Sequence, residues 1–300
     1  MLDLGVIILN WNTCDLLRRC LQTVFASQGE FNYKVIVVDN ASTDGSPEMV
    51  AREFPQVELI VNPVNTGYPA GNNIGLRALG FNDKGDVNAD APRYALLLNP
   101  DTEVPPNALY AMVELMDTRP EIGAAGPKLV LPDGSLDKAC RRGFPTPMVS
   151  LYHFLGLGKL FPKSPRFARY NMTYLDPDQE AEVDSVVGAF MIVRREAIES
   201  AGLLDETFFM YGEDIDWAYR IQKSGWKIVY HPQVTVKHVK RAASRQSQRA
   251  KFEFWRAMLI FYRKHYRATT PLWLHSVIMT GLLVKGGRGL LPEIRQSALP

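Results

Sequence analysis

Between Leu4 and Val130 the chain repeats one pattern. A short run of strand-forming apolar residues is followed by a longer stretch whose apolar positions recur at helical spacing. Leu4–Leu9, Lys34–Val38, Val57–Val61, Tyr94–Leu98 and Ala124–Val130 are the strand-like runs. Leu16, Leu17, Cys20, Leu21, Val24 and Phe25 form one helical stripe, behind Asn12 or Thr13 as its cap. Ser46-Pro47 opens a second helix as cap and first-turn proline, and Ala70–Leu79 and Pro106–Asp117 supply two more. This alternation predicts an α/β fold, a mostly parallel sheet with helices on both faces. Ligands of such sheets sit beyond the carboxyl ends of the strands. Asn10–Asn12, Asp39–Asn40 and Asn99–Asp101 fall at three of those ends.

Two of these ends carry a carboxylate. The run "VIVVDNASTDGS" delivers Asp39 and "ALLLNPDT" delivers Asp101. Asp39 stands where a dinucleotide-binding fold places the acid that grips a ribose, but the first turn, "NWNTC", has no glycine to admit a pyrophosphate. A lone base or ribose suits Asp39 better, and an Asx-turn role is the plain alternative. Asp101 at the mouth of a buried strand calls for a positive partner. A divalent ion bridging a diphosphate is one, and the dipole of the following helix is another. The stretch "NPVNTGYPAGNNIG", with Asn65, Gly67, Gly71 and Asn72, puts backbone N–H groups ahead of a helix, where they can meet phosphate or sugar oxygens.

Leu131–Glu182 has weak periodicity and reads as loops and short helices framing a cleft. Beyond it, "VDSVVGAFMIVRREAIESAG" is a strand running into a helix, and a further helix spans about Gly212 to Ser224. The latter opens on "YGEDIDW", where Glu213, Asp214 and Asp216 crowd between Tyr211 and Trp217. Carboxylates there are either a general base beside a cleft or simple helix-terminal acids. "KIVYHP" and "VTVKHV" predict two closing strands, the second ending near His238, a structural histidine or a metal ligand.

The net charge of +2 is unevenly placed: Lys237–Arg267 holds ten Lys/Arg and one acid, leaving about −7 elsewhere. Residues Ser244–Tyr266 predict a basic aromatic helix with Phe252, Trp255, Leu259 and Tyr262 on one stripe and Arg249, Arg256, Arg263 and Lys264 supplying charge. Together with the short apolar segment Pro271–Val284, this 244–288 region either lies on an anionic membrane or packs on the protein. Its apolar run is shorter than the ~20 residues of a span. Cys14, Cys20 and Cys140 make no paired motif and predict buried thiols in a reducing compartment. The N-terminus shows no basic leader, so a cytoplasmic location is expected, with peripheral attachment to the inner membrane face left open by the tail.

Taken in order, "VIILNWN", "VVDNASTDGS", "NPVNTGYPAGNNIG", "LLLNPDT", "VVGAFMIVRREAIESAGLLDETFFMYGEDIDWAYRIQKSGW" and "VTVKHV" resemble glycosyltransferase family 2, in particular its rhamnosyltransferase-like branch, over about residues 4–240. The resemblance implies a GT-A (Rossmann-like) domain at 1–240 and a helical C-terminal segment at 241–300. It implies an inverting transferase whose donor is a nucleotide-diphosphate sugar, with Mg²⁺ or Mn²⁺ as cofactor, and whose acceptor is a glycan or lipid-diphosphate. No nucleic-acid partner is expected. Asp39 then contacts the base, with Asn10, Asn12, Asn40, Ser42, Asn65, Gly67, Gly71, Asn72 and Asn99 around the nucleotide sugar. Asp101 is the metal carboxylate, with Asn99 replacing the first acid of the family's DXD motif, and His238 is a further ligand. Asp214 corresponds to the base, with Glu213 beside it. L-rhamnose from a dTDP donor is the expected sugar; a UDP-galactofuranose or UDP-hexose donor, or a nucleotide-sugar binder without turnover, are the alternatives. A processive synthase is disfavoured, since "QSQRA" lacks the tryptophan of Gln-x-x-Arg-Trp.

Overall fold

The computed structural model describes residues 2–82, 86–240 and 248–295. The first half follows the sequence pattern closely. Strand β1 (Leu4–Asn10) leads to helix α1 (Cys14–Phe25), whose Leu17, Cys20, Leu21 and Val24 form the buried stripe. β2 (Tyr33–Asp39), α2 (Ser46–Glu53), β3 (Glu58–Val61), α3 (Tyr68–Ala78) and β4 (Tyr94–Leu98) continue the alternation. Two caps differ from expectation. Thr13 occupies the α1 cap position, but its hydroxyl donates to Asn10 Oδ1 instead, and the helix N-terminus is met by Asp44, which accepts from Cys14 N. Ser46 is the first residue of α2 rather than its cap, which is Gly45.

A two-residue β5 (Thr102–Glu103), α4 (Ala108–Thr118) and β6 (Ile122–Val130) come next. The segment read as framing the cleft folds as turns with two short helices, α5 (Pro147–Phe154) and α6 (Leu157–Leu160). β7 (Ala181–Glu182), β8 (Phe190–Arg194), α7 (Arg195–Ala201), α8 (Glu213–Lys223) and β9 (Lys227–His238) complete the sheet. The expected pair of closing strands is one continuous strand. Between the pairs Pro127–His231 and Lys128–Thr235 it carries three extra residues, 232–234, so Pro232 sits in a bulge of β9 and does not end the strand.

The nine strands run in the order β3-β2-β1-β4-β8-β6-β9-β5, with β7 paired to β9. β1, β2, β3, β4, β6 and β9 point one way, and β5, β7 and β8 run against them, so the sheet is mostly parallel. β1 and β4 are buried on both faces, which is why they read as unbroken apolar runs rather than alternating ones. Cys20 lies in this core, where burial pushes its thiol up to about 12, out of reach of ordinary thiolate chemistry. All three cysteines are free.

The tail forms α9 (Gln248–His265), α10 (Leu272–Gly286) and α11 (Leu291–Arg295); the expected helix start at Ser244 lies outside the described residues. α9 is wedged between two cores. It gives Ala257, Ile260 and Phe261 to the main one. It gives Leu259 and Tyr262 to a smaller one, shared with Leu274, Ile278 and Leu282 of α10 and packed by Phe252 and Trp255. The aromatic stripe therefore packs on the protein and does not face outward. Its charges are also used inward: Arg249 lies 4.3 Å over the Phe209 ring, Arg256 and Arg263 donate to carbonyls, and Lys264 pairs with Asp205 and Asp216.

Candidate active site

Parallel pairing of β1 with β2 sets Asn10 opposite Asp39, and the two side chains meet. Asn10 Nδ2 donates to Asp39 Oδ1 at 2.7 Å, while Asp39 Oδ2 accepts from Ser42 N at 2.8 Å. Ser42 Oγ in turn accepts from Asn12 N, and Asn12 Oδ1 from Thr43 N. Asp39 is only 1% exposed, so its carboxylate organises the turn as well as facing the strand end. Ala41, with φ 61°, sits in the left-handed region inside that turn, a strained conformation for a residue with a Cβ.

Asn40 extends the network. Its Nδ2 reaches Asn65 Oδ1 and the Gly67 carbonyl, and its Oδ1 accepts from Asn62. Gly67 has φ 87°, and a Cβ there would lie 2.6 Å from the Phe209 carbonyl, which accepts from Tyr68 N. Gly71 lets α3 approach β1, since a Cβ would strike Leu9 at 2.3 Å. Asn72, 1% exposed, donates back to the Tyr68 carbonyl. Asn10, Asn12, Asp39, Asn40, Ser42, Asn65, Gly67, Gly71 and Asn72 thus gather in one polar corner at the ends of β1 and β2 and the start of α3.

The other five sequence-derived positions line a single cavity of about 540 Å³: Asn99, Asp101, Glu213, Asp214 and His238. Tyr68, next to Gly67, lines it too and joins corner to cavity, its hydroxyl donating to the Gly188 carbonyl. Antiparallel pairing of β5 with β9 sets His238 opposite Thr102 and brings its Nε2 to 3.3 Å from Asp101 Oδ1. Behind it, His238 Nδ1 donates to Asp137 Oδ2 at 3.0 Å, and Asp137 Oδ1 accepts from Lys240 Nζ at 2.5 Å. Burial works against a charge on His238, but Asp101 and Asp137 outweigh it and raise its pKa. Burial also opposes ionisation of Asp137, yet His238 and Lys240 hold it well below the usual carboxylate range.

Opposite stands the N-terminus of α8, entered through Tyr211 and Gly212 at φ 68° and 80°. Asp214 Oδ2 accepts from Arg142 Nη2 at 2.5 Å and from Gly188 N at 3.2 Å, and its Oδ1 accepts from Ile215 N. Glu213 differs sharply. It is 6% exposed, its Oε2 has no hydrogen-bond partner, and burial together with the neighbouring Asp214 charge pushes its pKa up to about 8. Of the two adjacent carboxyls, Asp214 is paired with a guanidinium, while Glu213 is held neutral near neutral pH.

Several residues in and behind the cavity escape a reading of the sequence. Arg142, in "CRRGFP", has no periodicity to mark it, and Asp137, behind His238, is known only by its long-range contact with β9. Lys251, Phe254, Trp255 and Met258 come from α9, which closes one side of the cavity.

Among the described residues no group of three His, Cys, Asp or Glu side chains is arranged to hold a metal ion. The donor set is nonetheless suitable for one that takes its remaining ligands from a diphosphate and water. It offers one carboxylate, Asp101, and one imidazole, His238, oriented by a carboxylate behind it.

Compared with known proteins, the chain matches the family described as Glycosyltransferase like family 2 across residues 3–253. The chain belongs to glycosyltransferase family 2. A relative from Mycobacterium tuberculosis, N-acetylglucosaminyl-diphospho-decaprenol L-rhamnosyltransferase, is 34% identical over 208 residues, 69% of this chain; the match spans 66% of that protein's own length. The rhamnosyltransferase WbbL of Escherichia coli K12 is 25% identical over 76% of this chain and 80% of its own. Among solved structures, GalNAc-T7 with UDP, GalNAc and Mn²⁺ superposes with a TM-score of 0.60 at 16% identity, covering 98% of this chain and 56% of that one. Residues 1–349 of S. aureus TarS give 0.57 at 13%, covering 99% of this chain and 76% of that one. These likenesses place the family 2 sheet and cleft in the GT-A fold.

Proposed function

We propose that this family 2 glycosyltransferase is an inverting enzyme that moves L-rhamnose from a dTDP donor to a lipid-diphosphate-linked glycan of the cell surface. The observation that carries the reading is one cavity in which Asp101, His238 and Asp214 converge, with the polar corner around Asp39 at its edge. The sugar is that named for the similar mycobacterial and E. coli proteins, and the lipid-diphosphate acceptor is that named for the mycobacterial one. In this reading residues 1–240 are the transferase domain and 241–300 its acceptor-side segment, working at the inner face of the cell membrane.

The base and ribose of the donor rest against Asp39, Asn10 and Ser42, and the diphosphate points toward Asn99 and Asp101. Asp101 and His238 would hold Mg²⁺ or Mn²⁺, with Asp137 fixing the imidazole. When bound, the ion supplies neutralising charge to the departing nucleoside diphosphate. Asp214 takes the proton of the acceptor hydroxyl as that oxygen attacks the anomeric carbon. The bond from that carbon to the diphosphate oxygen breaks on the opposite side, so one displacement inverts the centre. Arg142 and Gly188 N, both donating to its Oδ2, keep Asp214 aimed. Glu213, held neutral, is a hydrogen-bond donor toward a sugar oxygen.

Titration calorimetry with dTDP and UDP, each with and without Mn²⁺, on the native chain and Asp101→Ala tests this. Binding that needs both the ion and Asp101 supports the reading, and a preference for UDP redirects it to a galactofuranose or hexose donor. Binding without turnover on any donor supports a nucleotide-sugar binder instead. Absence of binding to either nucleotide removes the assignment.

A further inference from the structure

The helix α10 is apolar on every side. Its inner face, Leu274, Ile278 and Leu282, is buried against α9, as expected of such a helix. Its outer face is not covered: Leu272, Trp273, Val277 and Val284 are 74, 62, 44 and 73% exposed. α5 lies across the same pair of helices, lining a small cleft with Met258 and Tyr262 of α9 and Ile278 and Leu282 of α10. The hairpin of α5 and α6 also turns large apolar groups outward, with Leu155, Leu160 and Phe161 exposed by 64, 69 and 47%. Adjoining elements therefore present apolar surface that nothing among the described residues covers.

Charge says what covers it. Residues 138–175 contain seven Lys/Arg and no Asp or Glu, and residues 254–292 contain six and none. Lys159, Lys163, Arg267, Lys285 and Arg288 are exposed and pair with no carboxylate among the described residues. Exposed aromatic and aliphatic groups on segments that carry unpaired cations are what an anionic bilayer surface takes up. Trp273 is of the type favoured at the headgroup level. A second copy of the same face would set cations against cations. No helix among the described residues is long and apolar enough to cross a membrane, so the contact is peripheral.

We infer that the outer face of α10 and the α5–α6 hairpin together form a docking face for an anionic lipid bilayer. The face adjoins the active cavity: Trp255 and Met258 line that cavity, and the Trp255 ring lies 5.7 Å from Phe154 of α5. A lipid-diphosphate seated in such a bilayer would present its headgroup sugar on the side from which Asp214 is reached. The inference rests on the transferase reading for that purpose, and on the surface alone for its evidence.

The test is flotation of the full chain with phosphatidylglycerol–phosphatidylcholine vesicles and with phosphatidylcholine vesicles alone. Binding is expected only to the anionic ones and weakens with salt. Each cation near such a surface is worth about five-fold in partitioning. Lys159→Glu with Lys163→Glu should therefore lower it more than ten-fold, as should Trp273→Ser with Val277→Ser and Leu160→Ser with Phe161→Ser. Equal flotation with neutral vesicles, or no loss in the paired apolar variants, overturns the docking face. So does a dimer in sedimentation velocity that these variants dissolve. Nucleotide calorimetry run beside it reports the integrity of each variant. Failure of the native chain to bind nucleotide sinks the transferase reading and leaves the vesicle result standing.

Discussion

Arg142 and Asp214 form an ion pair of 2.5 Å in the wall of the cavity, with side chains only 12% and 7% exposed. Burial opposes the charge on Arg142, but the Asp214 carboxylate more than restores it. Removing one member of such a pair is costlier than removing both, because a buried charge is left behind. Arg142→Ala should therefore destabilise the fold by about 3–5 kcal/mol. Asp214→Asn keeps the shape and removes the base. We expect donor binding within a few-fold of native and single-turnover rates down by about 10²–10⁴, the usual worth of a positioned general base. Wild-type turnover in Asp214→Asn would exclude it as the base.

Glu213 gives a prediction of opposite sign. Its carboxyl, ordinarily ionising near 4.5, ionises at about 8, through burial first and the charges of Asp214 and Asp216 beside it, against the pull of Arg142. Between those values the unfolded chain has released this proton while the native state retains it. Native stability thus falls as pH rises through the window, and below 4.5 the difference vanishes. Glu213→Gln should raise the melting temperature at pH 8 by a few degrees, roughly, with little gain near pH 4. It should also blunt any loss of activity that the native enzyme shows above pH 8. Melting curves at the two pH values check the first part, and a higher native Tm at pH 8 than in the variant would refute it.

Asp137 makes no contact with donor or acceptor in the proposed mechanism, yet it fixes the His238 imidazole through Nδ1. Carboxylates placed so behind a metal-binding histidine are worth about 10–100-fold in affinity. Asp137→Asn should weaken Mn²⁺ binding by that factor, measured by calorimetry in the presence of nucleotide. Unchanged affinity would remove His238 from the ligand set.

How far the sequence announces all this depends on the kind of contact. The corner around Asp39 is legible because it is built from strand ends and turn residues, whose chemistry is local: "VVDNAS" already contains the acid, the left-handed turn and the Ser42 amide that meets it. The "GED" run is legible for the same reason. Arg142 and Asp137 are not, because their partners lie 72 and 101 residues away and neither sits on a periodic segment. Pro232 misleads locally, since it predicts a strand break where the strand itself bulges and continues. The tail misleads through ambiguity of a different kind. An aromatic stripe with flanking cations is equally a membrane helix and a packed one, and only the tertiary partners of Arg256, Arg263 and Lys264 decide for the latter.

Asp39 should also declare itself in binding. Both its oxygens accept hydrogen bonds, from Asn10 Nδ2 and Ser42 N, so Asp39→Asn turns one donor against another and loosens the turn. Nucleotide affinity is expected to fall about ten-fold or more on the loss of a charge-assisted bond, while the dependence on Mn²⁺ stays. Calorimetry at two Mn²⁺ concentrations separates the two, and a variant that loses only its metal dependence would misplace Asp39 at the base.

Asp216 points to the acid lability of the α8–α9 junction. Its side chain is fully buried and accepts from Arg220 Nε at 2.8 Å, Lys264 Nζ at 2.9 Å and His265 Nε2 at 2.7 Å, so one carboxylate clasps both helices. Burial alone would favour protonation, but His265, Arg220 and Lys264 hold its pKa far below the usual carboxylate range. A depressed carboxylate contributes its full stability above its unfolded pKa and surrenders it as pH falls from there toward the folded one. The native chain should therefore lose stability steeply below about pH 4, in the region where unfolded carboxylates take up protons. Asp216→Asn should be less stable at pH 7 by several kcal/mol, about the cost of breaking a buried charge cluster. Its deficit should shrink as pH is lowered. Because α9 carries Phe254, Trp255 and Met258 into the cavity wall, the same variant should raise the acceptor KM more than it alters nucleotide binding. Urea unfolding at pH 7 and pH 3.5 is the check, and a deficit that stays constant between them would mean that Asp216 holds the helices by shape rather than by charge.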